Sequence, residues 1–396
     1  MKSEAQGIVL AGIHAWGGCI LEQICPRPLL SVAGRPLIWY GLEWLRSGGV
    51  GRATICANSD TESLRFWLGG GRDLGLSLDY YEDTMPRGPA GCIKDAGEHG
   101  DADTFVVLEG TLLPSVDLAG MLAAHRAAGA SLTVAVRGQS GRDPNAPSEP
   151  VGIYVVSRAA LEAIPPRGYQ DIKEGWIPRL HEGGDRVVPF VTSIDGVRRV
   201  TGIRSYLAAT QWAVSTISNG RGWEDHRYSR HDEAWLHPTV QRDPHVILRG
   251  PMLIGPGVHL ARGVSIVGPA VLGPDSRVER SAVLSGVIAS AGCRIGAGAV
   301  LSRCVLLRHA EVEADLVMRD AIRGAPASQA APPAWEEEYW MLNVEPRQHA
   351  FGRGLAGATP RLGPADRRAW DRTAPSAARD PRVFSAVGDG EPAHVS

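Results

Sequence analysis

Aliphatic residues recur at every sixth position along the second half of the chain, and this period constrains the fold more than any other feature. Neither an α-helix nor an ordinary β-strand repeats at six, so the pattern is an internal repeat and predicts a solenoid. Each side of the solenoid would hold a short extended segment with its aliphatic residue pointing inward, and three sides would complete one coil. The repeating positions are Ile254, Leu260, Ile266, Leu272, Val278 and Leu284.

The register of this repeat slips once. After Ile288 the aliphatic positions resume at Ile295, Leu301 and Leu307. We interpret the slip as a loop between two coils, within a solenoid domain over residues 237–322. A chance run inside a β-sandwich is the alternative, and six consecutive matches at one spacing disfavour it.

Residues 6–220 have a different sequence pattern, in which short β-branched runs alternate with amphipathic stretches. Two helices are predicted inside this region, one ending at Gly48–Gly49 and one following Asp117 as N-cap, and residues 202–217 form a third. This alternation indicates βαβ units and an α/β domain with a mostly parallel sheet. Predicted strands cover residues 8–12, 53–58, 104–110, 131–136 and 152–157.

Residues 323–396 are rich in Ala, Pro, Arg and Gly and show no apolar period. Such a composition cannot bury enough surface to offset the entropy lost on ordering, so we predict a mostly disordered tail. An aromatic-rich piece at 334–345 is predicted to form a short helix.

The overall composition excludes several classes of protein. There are 41 Lys and Arg against 43 Asp and Glu, a net charge of −2, whereas nucleic-acid or anionic-membrane binders need an excess of basic surface. We therefore expect no nucleic-acid or membrane partner. No apolar run of about 18 residues and no signal-peptide pattern is present. The six cysteines form no CxxC pair, which predicts reduced thiols and a cytoplasmic protein.

The stretch from Leu10 to Gly34, LAGIHAWGGCILEQICPRPLLSVAG, resembles the opening signature of the nucleotide-sugar pyrophosphorylases, or sugar-1-phosphate nucleotidyltransferases. That signature reads LAGGxGTRLxPLTxxxPKPLLPVAG, and the spacing from LAG to P-x-P is the same. Further stretches are similar to family motifs in the same order. They are MPRGPAG (85–91), VVLEGTLLPSVDL (106–118), PVGIYVVS (150–157), EGWIPRLHEGG (174–184) and SYLAA (205–209).

The resemblance implies a Rossmann-like nucleotidyltransferase domain followed by a left-handed parallel β-helix made of hexapeptide repeats. In this family's reaction a sugar 1-phosphate attacks the α-phosphate of a nucleoside triphosphate, and pyrophosphate leaves. The implied ligand is a nucleotide or nucleotide-sugar. The matching nucleotide-binding positions are Leu10, Ala11, Gly12, Arg27, Gly88, Ala90 and Gly91.

The positions that handle charge in the family are substituted in this chain. Gly17 stands where the family has the arginine that holds pyrophosphate, and Arg27 replaces the lysine of PKP. Thr111 and Arg199 stand at the two magnesium-binding aspartates. A hydroxyl is a weak ligand for Mg²⁺ and a cation repels it. We therefore predict no catalytic residues, no metal site and no cofactor.

The family's sugar-phosphate lysine also has no counterpart. The chain has only three lysines, and we expect Lys94 and Lys173 to be solvated charges rather than catalysts.

Three functions remain open. The favoured one is a degenerate family member that regulates or scaffolds an active relative, as a homo- or hetero-oligomer assembled through the solenoid. The second is an active enzyme that uses Mg²⁺ and a rebuilt site with Arg27, Glu109 and Asp195. The third is a hexapeptide-repeat acyltransferase with His259 as general base, flanked by His245 and His309.

Overall fold

A computed structural model describes residues 5–12, 21, 26–57, 61–83, 87–138, 149–193, 195–218, 227–324, 341 and 383–385. The chain divides into two compact units, Met1–Thr210 and Gln211–Ser396. The predicted short helix at 334–345, nearly all of the predicted disordered tail, and the substituted Gly17 lie outside the described residues. No helix in the described ranges is long and apolar enough to cross a membrane.

The first unit is built on a seven-stranded sheet, in the order β10-β8-β9-β6-β1-β4-β5. All neighbouring pairs are parallel except those of β9, which is antiparallel to both β6 and β8. The mostly parallel α/β prediction is thus confirmed. The strands of this unit are β1 (Gln6–Leu10), β2 (Ser31–Val32), β3 (Arg35–Pro36), β4 (Arg52–Ala57), β5 (Ser77–Glu82), β6 (Thr104–Glu109), β7 (Leu112–Pro114), β8 (Leu132–Arg137), β9 (Pro150–Ser157), β10 (Val187–Thr192) and β11 (Val197–Arg199).

The helices have the local signals that the sequence predicts. Helix α1 (Leu37–Ser47) is followed by Gly48 as its C-cap, and Gly49 comes next with a φ of 88°. The carboxylate of Asp117 accepts the Gly120 N–H at 3.0 Å and so caps α4. The helices are α1 (Leu37–Ser47), α2 (Thr61–Leu68), α3 (Gly88–Glu98), α4 (Leu118–Ala128), α5 (Ile177–Glu182) and α6 (Ile203–Ser218), with a π-helical turn at Ile172–Trp176 before α5.

The second unit is a stack of parallel strands with three strands in each coil, which confirms the β-helix prediction. Its three sheets run β13-β16-β19-β22-β25-β28, β14-β17-β20-β23-β26 and β15-β18-β21-β24-β27. The six repeat residues are at most 1% exposed. The strands are β12 (Ser229–His231), β13 (Ala234–Leu236), β14 (Gln241–Arg242), β15 (Ile247–Arg249), β16 (Met252–Ile254), β17 (His259–Leu260), β18 (Ser265–Val267), β19 (Ala270–Leu272), β20 (Arg277–Val278), β21 (Val283–Ser285), β22 (Ile288–Ala289), β23 (Arg294–Ile295), β24 (Val300–Ser302), β25 (Val305–Leu306), β26 (Glu311–Val312), β27 (Val317–Arg319), β28 (Ala321–Arg323) and β29 (Val383–Ser385).

The register slip is one missing residue in a corner, and the prediction of a loop between coils is wrong. Val267 and Val271 pair with Ser285 and Ile288 one coil later, so that corner is one residue shorter and the coil has 17 residues rather than 18. The same shortening recurs on the next coil. As a result Leu306, not Leu307, points inward and is fully buried.

Both ends of the first sheet of the β-helix carry an antiparallel strand. Strand β12 pairs with β13 at one end, and β29 pairs with β28 at the other. A terminal coil otherwise presents unpaired backbone groups. The tail segment 383–385 therefore covers an edge that the sequence pattern leaves open.

Neighbouring residues on β21 give a matched stability test. Leu284 is fully buried, whereas Val283 is 39% exposed. Leu284→Ala leaves a cavity among the coils, so we expect it to lower the free energy of unfolding by about 2–5 kcal/mol. Val283→Ala should change it by no more than about 0.5 kcal/mol. Urea unfolding of both variants measures the difference, and equal losses would contradict the inward assignment of the repeat.

Candidate functional site

A cavity of about 440 Å³ lies in the first unit at the carboxyl ends of β1, β4 and β6. Strand β1 lies between β4 and β6, so the chain continues on one side of β1 and later returns to the other. Ligands of open α/β sheets bind at such a switch point. The lining residues are Leu10, Gly12, Arg27, Cys56, Ala57, Asp83, Gly88, Pro89, Cys92, Glu109, Thr111, Tyr154, Tyr169, Asp171, Ile172, Lys173 and Arg199.

Some of the predicted nucleotide-binding residues line the cavity and others do not. Leu10, Gly12, Arg27 and Gly88 line it. Ala11 is adjacent in sequence, but its N–H donates to the Cys56 carbonyl at 2.7 Å and is therefore not available to a ligand. Ala90 and Gly91 lie in the first turn of α3 and are not among the lining residues.

Gly88 is needed where α3 begins. Its φ is 81°, and a Cβ there would lie 2.6 Å from the Gln170 carbonyl oxygen. The same oxygen accepts the Ala90 N–H at 3.0 Å, and the Gln170 N–H donates to the Arg87 carbonyl at 2.6 Å. These backbone bonds fasten the start of α3 to the segment around Gln170, which leads into the far wall of the cavity.

An ion pair occupies the region where the family's aspartates would stand. Strand β11 pairs antiparallel with β7, with Arg199 opposite Leu112, and this brings Arg199 beside the end of β6. Its guanidinium donates to the Glu109 carboxylate and, at 3.3 Å, to the Val151 carbonyl. Burial, and secondarily the charge of Arg27, lower the pKa of Arg199 from its ordinary value.

The donor set at this place does not suit Mg²⁺, which prefers several carboxylate oxygens and water. Glu109 already accepts from Arg199, and Thr111 offers only a hydroxyl. Asp117 is committed to capping α4. Asp195 is exposed, pairs with Arg198 at 3.4 Å and does not line the cavity. Among the described residues no cluster of three or more His, Cys, Asp or Glu could hold a metal ion.

Tyr154 on β9 and the segment before α5 form another part of the cavity wall. The Asp171 carboxylate accepts the backbone N–H groups of Lys173 and Glu174 at 2.6 and 2.8 Å, so it is satisfied by the chain itself. Burial, with a smaller effect of Asp171, raises the pKa of Tyr154 to about 12. Its hydroxyl is therefore protonated at neutral pH and can serve as a hydrogen-bond donor.

Two cysteines line the cavity beside its glycine loop. Cys56 is the penultimate residue of β4 and Cys92 lies in α3, and both are unbridged and buried. A hydrogen bond with Cys92, followed by burial, raises the pKa of the Cys56 thiol well above its usual range. The Cys56 thiol is therefore uncharged at neutral pH, which makes it an apolar part of the wall.

Of the two lysines expected to be solvated charges, Lys94 is placed differently. Lys94 donates to the Ile164 carbonyl at 2.7 Å, and its side chain is only 16% exposed. Lys173 is exposed but also lines the cavity. On the β-helix, His259 and His245 are exposed, and His245 hydrogen-bonds Asp243 at 2.9 Å.

Gly152 makes room for the ion pair, which gives a second matched test. Its φ is 87°, and a Cβ would lie 2.7 Å from Glu109 Oε1 and 2.8 Å from Arg199 Nη2. Gly49 has a φ of 88° with open space around it. Gly49→Ala should thus incur only the left-handed backbone cost of about 1–2 kcal/mol. Gly152→Ala should lose up to about 1 kcal/mol more, because the ends of the Glu109 and Arg199 side chains must shift and their ion pair is weakened, and equal unfolding free energies would contradict the packing described.

Comparisons with known proteins agree on one family. Residues 22–146 match the family model described as nucleotidyl transferase. The chain is 23% identical to a mannose-1-phosphate guanylyltransferase of Mycobacterium tuberculosis, over 74% of this chain and 83% of that protein. It is 24% identical to a glucose-1-phosphate thymidylyltransferase of Streptomyces antibioticus, over 73% and 84%. It is 22% identical to a UTP–glucose-1-phosphate uridylyltransferase of Synechocystis, over 70% and 80%.

Proposed function

The chain belongs to the nucleotide-sugar pyrophosphorylase family, and on that premise we propose that it is a non-catalytic member. In this proposal it binds a nucleotide or nucleotide-sugar in the cavity and regulates or scaffolds an active nucleotidyltransferase in the cytoplasm. Family membership indicates the class of ligand. Substitution of the charged positions is the reason for proposing that turnover is lost.

The observation that carries the proposal is the ion pair between Arg199 and Glu109. Splitting a triphosphate requires that charge developing on the phosphates be neutralised, in this chemistry by metal ions and cationic side chains. Here the best-placed carboxylate of the cavity is bound to a guanidinium. A divalent ion would have to displace that guanidinium and then share the space with a fixed positive charge.

An association with another chain is supported by one face of the β-helix. Ile247, Val283 and Val317 occupy equivalent outward positions on every second coil, with Ser265 and Val300 between them, and are 50%, 39% and 63% exposed. An exposed apolar patch is typical of interaction sites. The partner in the proposal is an active relative.

The experiment compares the lone chain with the chain mixed with active nucleotidyltransferases from the same cell. Each sample is assayed for pyrophosphate release over a panel of nucleoside triphosphates and sugar 1-phosphates with Mg²⁺. We expect no turnover by the lone chain, together with co-purification and a changed rate of the active partner. Robust turnover by the lone chain would instead establish the rebuilt enzyme that uses Arg27 and Glu109.

A further inference from the structure

Two arginines from distant parts of the sequence face the same cavity. Arg27 begins the short 3₁₀ helix Arg27–Leu29 directly after Pro26, and Arg199 ends β11. Both line the cavity, and they lie close enough for the charge of Arg27 to act on Arg199. Arg199 contacts the carboxylate of Glu109. Among the described residues, this corner therefore brings two guanidinium groups and the Glu109 carboxylate together.

We propose that Arg199, held by Glu109 and acting with Arg27, is a built-in cation that binds the diphosphate of a nucleotide-type ligand without any divalent metal. The inference rests on the proposed function, because it concerns the ligand of the same cavity. It adds the chemical class of the anion, the residues that bind it and the independence from metal.

The charge balance supports this substitution. Two carboxylates and one Mg²⁺ sum to zero, and the pair of Glu109 and Arg199 also sums to zero. The Arg199 guanidinium can therefore replace the metal in this local balance. Of the two other cations that the family signature places here, Arg27 keeps one, and Gly17 leaves the second position without a charge.

The geometry also suits an anion. Arg199 is fixed by bonds to Glu109 and the Val151 carbonyl, so little side-chain entropy is lost when a ligand binds. Gly152, which has no Cβ, leaves the space that the guanidinium occupies. An arginine has five N–H donors in a planar fork that matches phosphate oxygens. Two such forks in one cavity are suited to a diphosphate rather than to a neutral sugar.

The other two carboxylates of the cavity are held away from the arginines. The Asp171 carboxylate accepts the backbone N–H groups of Lys173 and Glu174. Asp83 lies at the end of β5, on the far side of β4 from β1 and β6. Over the described lining residues, Arg27, Lys173 and Arg199 balance Asp83, Glu109 and Asp171 in charge. What favours an anion is therefore the proximity of the two guanidinium groups.

The test measures binding of ADP, GDP, UDP, CDP and dTDP to the full chain by titration calorimetry, once with EDTA and once with MgCl₂. For the tightest of these probes we expect dissociation constants that agree within about threefold in the two media, well under the tenfold that 1.4 kcal/mol would give. Binding that requires Mg²⁺, or no binding of any probe in either medium, would overturn the inference.

Three variants then identify the residues. Arg199→Gln should weaken binding about tenfold or more in both media, because a charge-assisted contact is lost. Arg198→Gln removes the neighbouring arginine, which pairs with Asp195 outside the cavity, and should have no effect. Glu109→Gln keeps the shape and removes a negative charge, so binding should be as tight as in the wild type or tighter. A loss of binding in Glu109→Gln that appears in MgCl₂ but not in EDTA would assign Glu109 to a metal and overturn the inference.

Failure of this inference and failure of the proposed function give different results. Turnover is measured separately as pyrophosphate release. A chain that binds diphosphate only with Mg²⁺ but releases no pyrophosphate would refute the metal-free site and leave the non-catalytic role standing. Metal-free binding together with turnover would refute the non-catalytic role and leave the metal-free site standing.

Discussion

The double substitution of Thr111→Asp and Arg199→Asp is expected to convert a metal-independent binding site into a magnesium-dependent one. Both residues line the cavity, and the Val200 N–H approaches the Thr111 carbonyl at 3.4 Å. The two new carboxylates would therefore stand close together beside Glu109. That set supplies the hard oxygen ligands that Mg²⁺ prefers.

The expected effect is large because the charge of the corner is reversed. Without metal, diphosphate binding should fall by about 100-fold or more, since loss of a charged partner in such a contact costs several kcal/mol. Adding MgCl₂ should restore much of it. Titration calorimetry in EDTA and in MgCl₂ measures both values. Arg198→Asp is the matched control, and a double variant that binds equally well in EDTA would contradict the assigned role of Arg199.

Trp176→Ala is expected to have the largest effect on stability and to abolish binding as well. Trp176 is fully buried, and its indole N–H donates to the Ala160 carbonyl at 3.0 Å. Truncation should reduce the free energy of unfolding by about 3–5 kcal/mol. Trp176 also ends the π-helical turn that starts at Ile172, so its loss should release the wall that carries Asp171 and Lys173.

A second tryptophan separates the two effects. Trp67 is 8% exposed in α2 and does not line the cavity. Trp67→Ala should lower stability by a similar order while leaving diphosphate binding intact at temperatures where the variant is folded. Unfolding curves and titrations of the two variants make the comparison. Equal loss of binding in both would show that Trp176 has no specific relation to the cavity wall.

The sequence predicts the architecture well where a physical period extends over many residues. The six-residue period places the six aliphatic residues from Ile254 to Leu284 inside the coils, and these six side chains are buried. The slip after Ile288 suggests a loop between coils when the seven positions from Ile288 to Ile295 are counted, whereas the eleven from Leu284 to Ile295 fit a deleted residue. Only the pairing of Val271 with Ile288 shows which it is.

The candidate site could be predicted only in part. The motif positions of Leu10, Gly12, Arg27 and Gly88 follow from local spacing, and these residues line the cavity. The contact between Arg199 and Glu109 joins residues 90 positions apart, and it depends on the pairing of β7 with β11. No local pattern contains that information. Gly152 is a weak signal in the sequence, because it is a glycine at the start of a β-branched run. The reason for a glycine at this position is the space that the same ion pair occupies.

The most direct test of the central claim is a crystal of the chain with its tightest nucleoside diphosphate and Mn²⁺ in the medium. Mn²⁺ takes the place of Mg²⁺ at oxygen sites and is identified by anomalous scattering. The expected result is that Arg199 contacts the diphosphate while remaining paired with Glu109, with no anomalous peak at either residue. An anomalous peak at Glu109, with Arg199 displaced from the carboxylate, would contradict the claim.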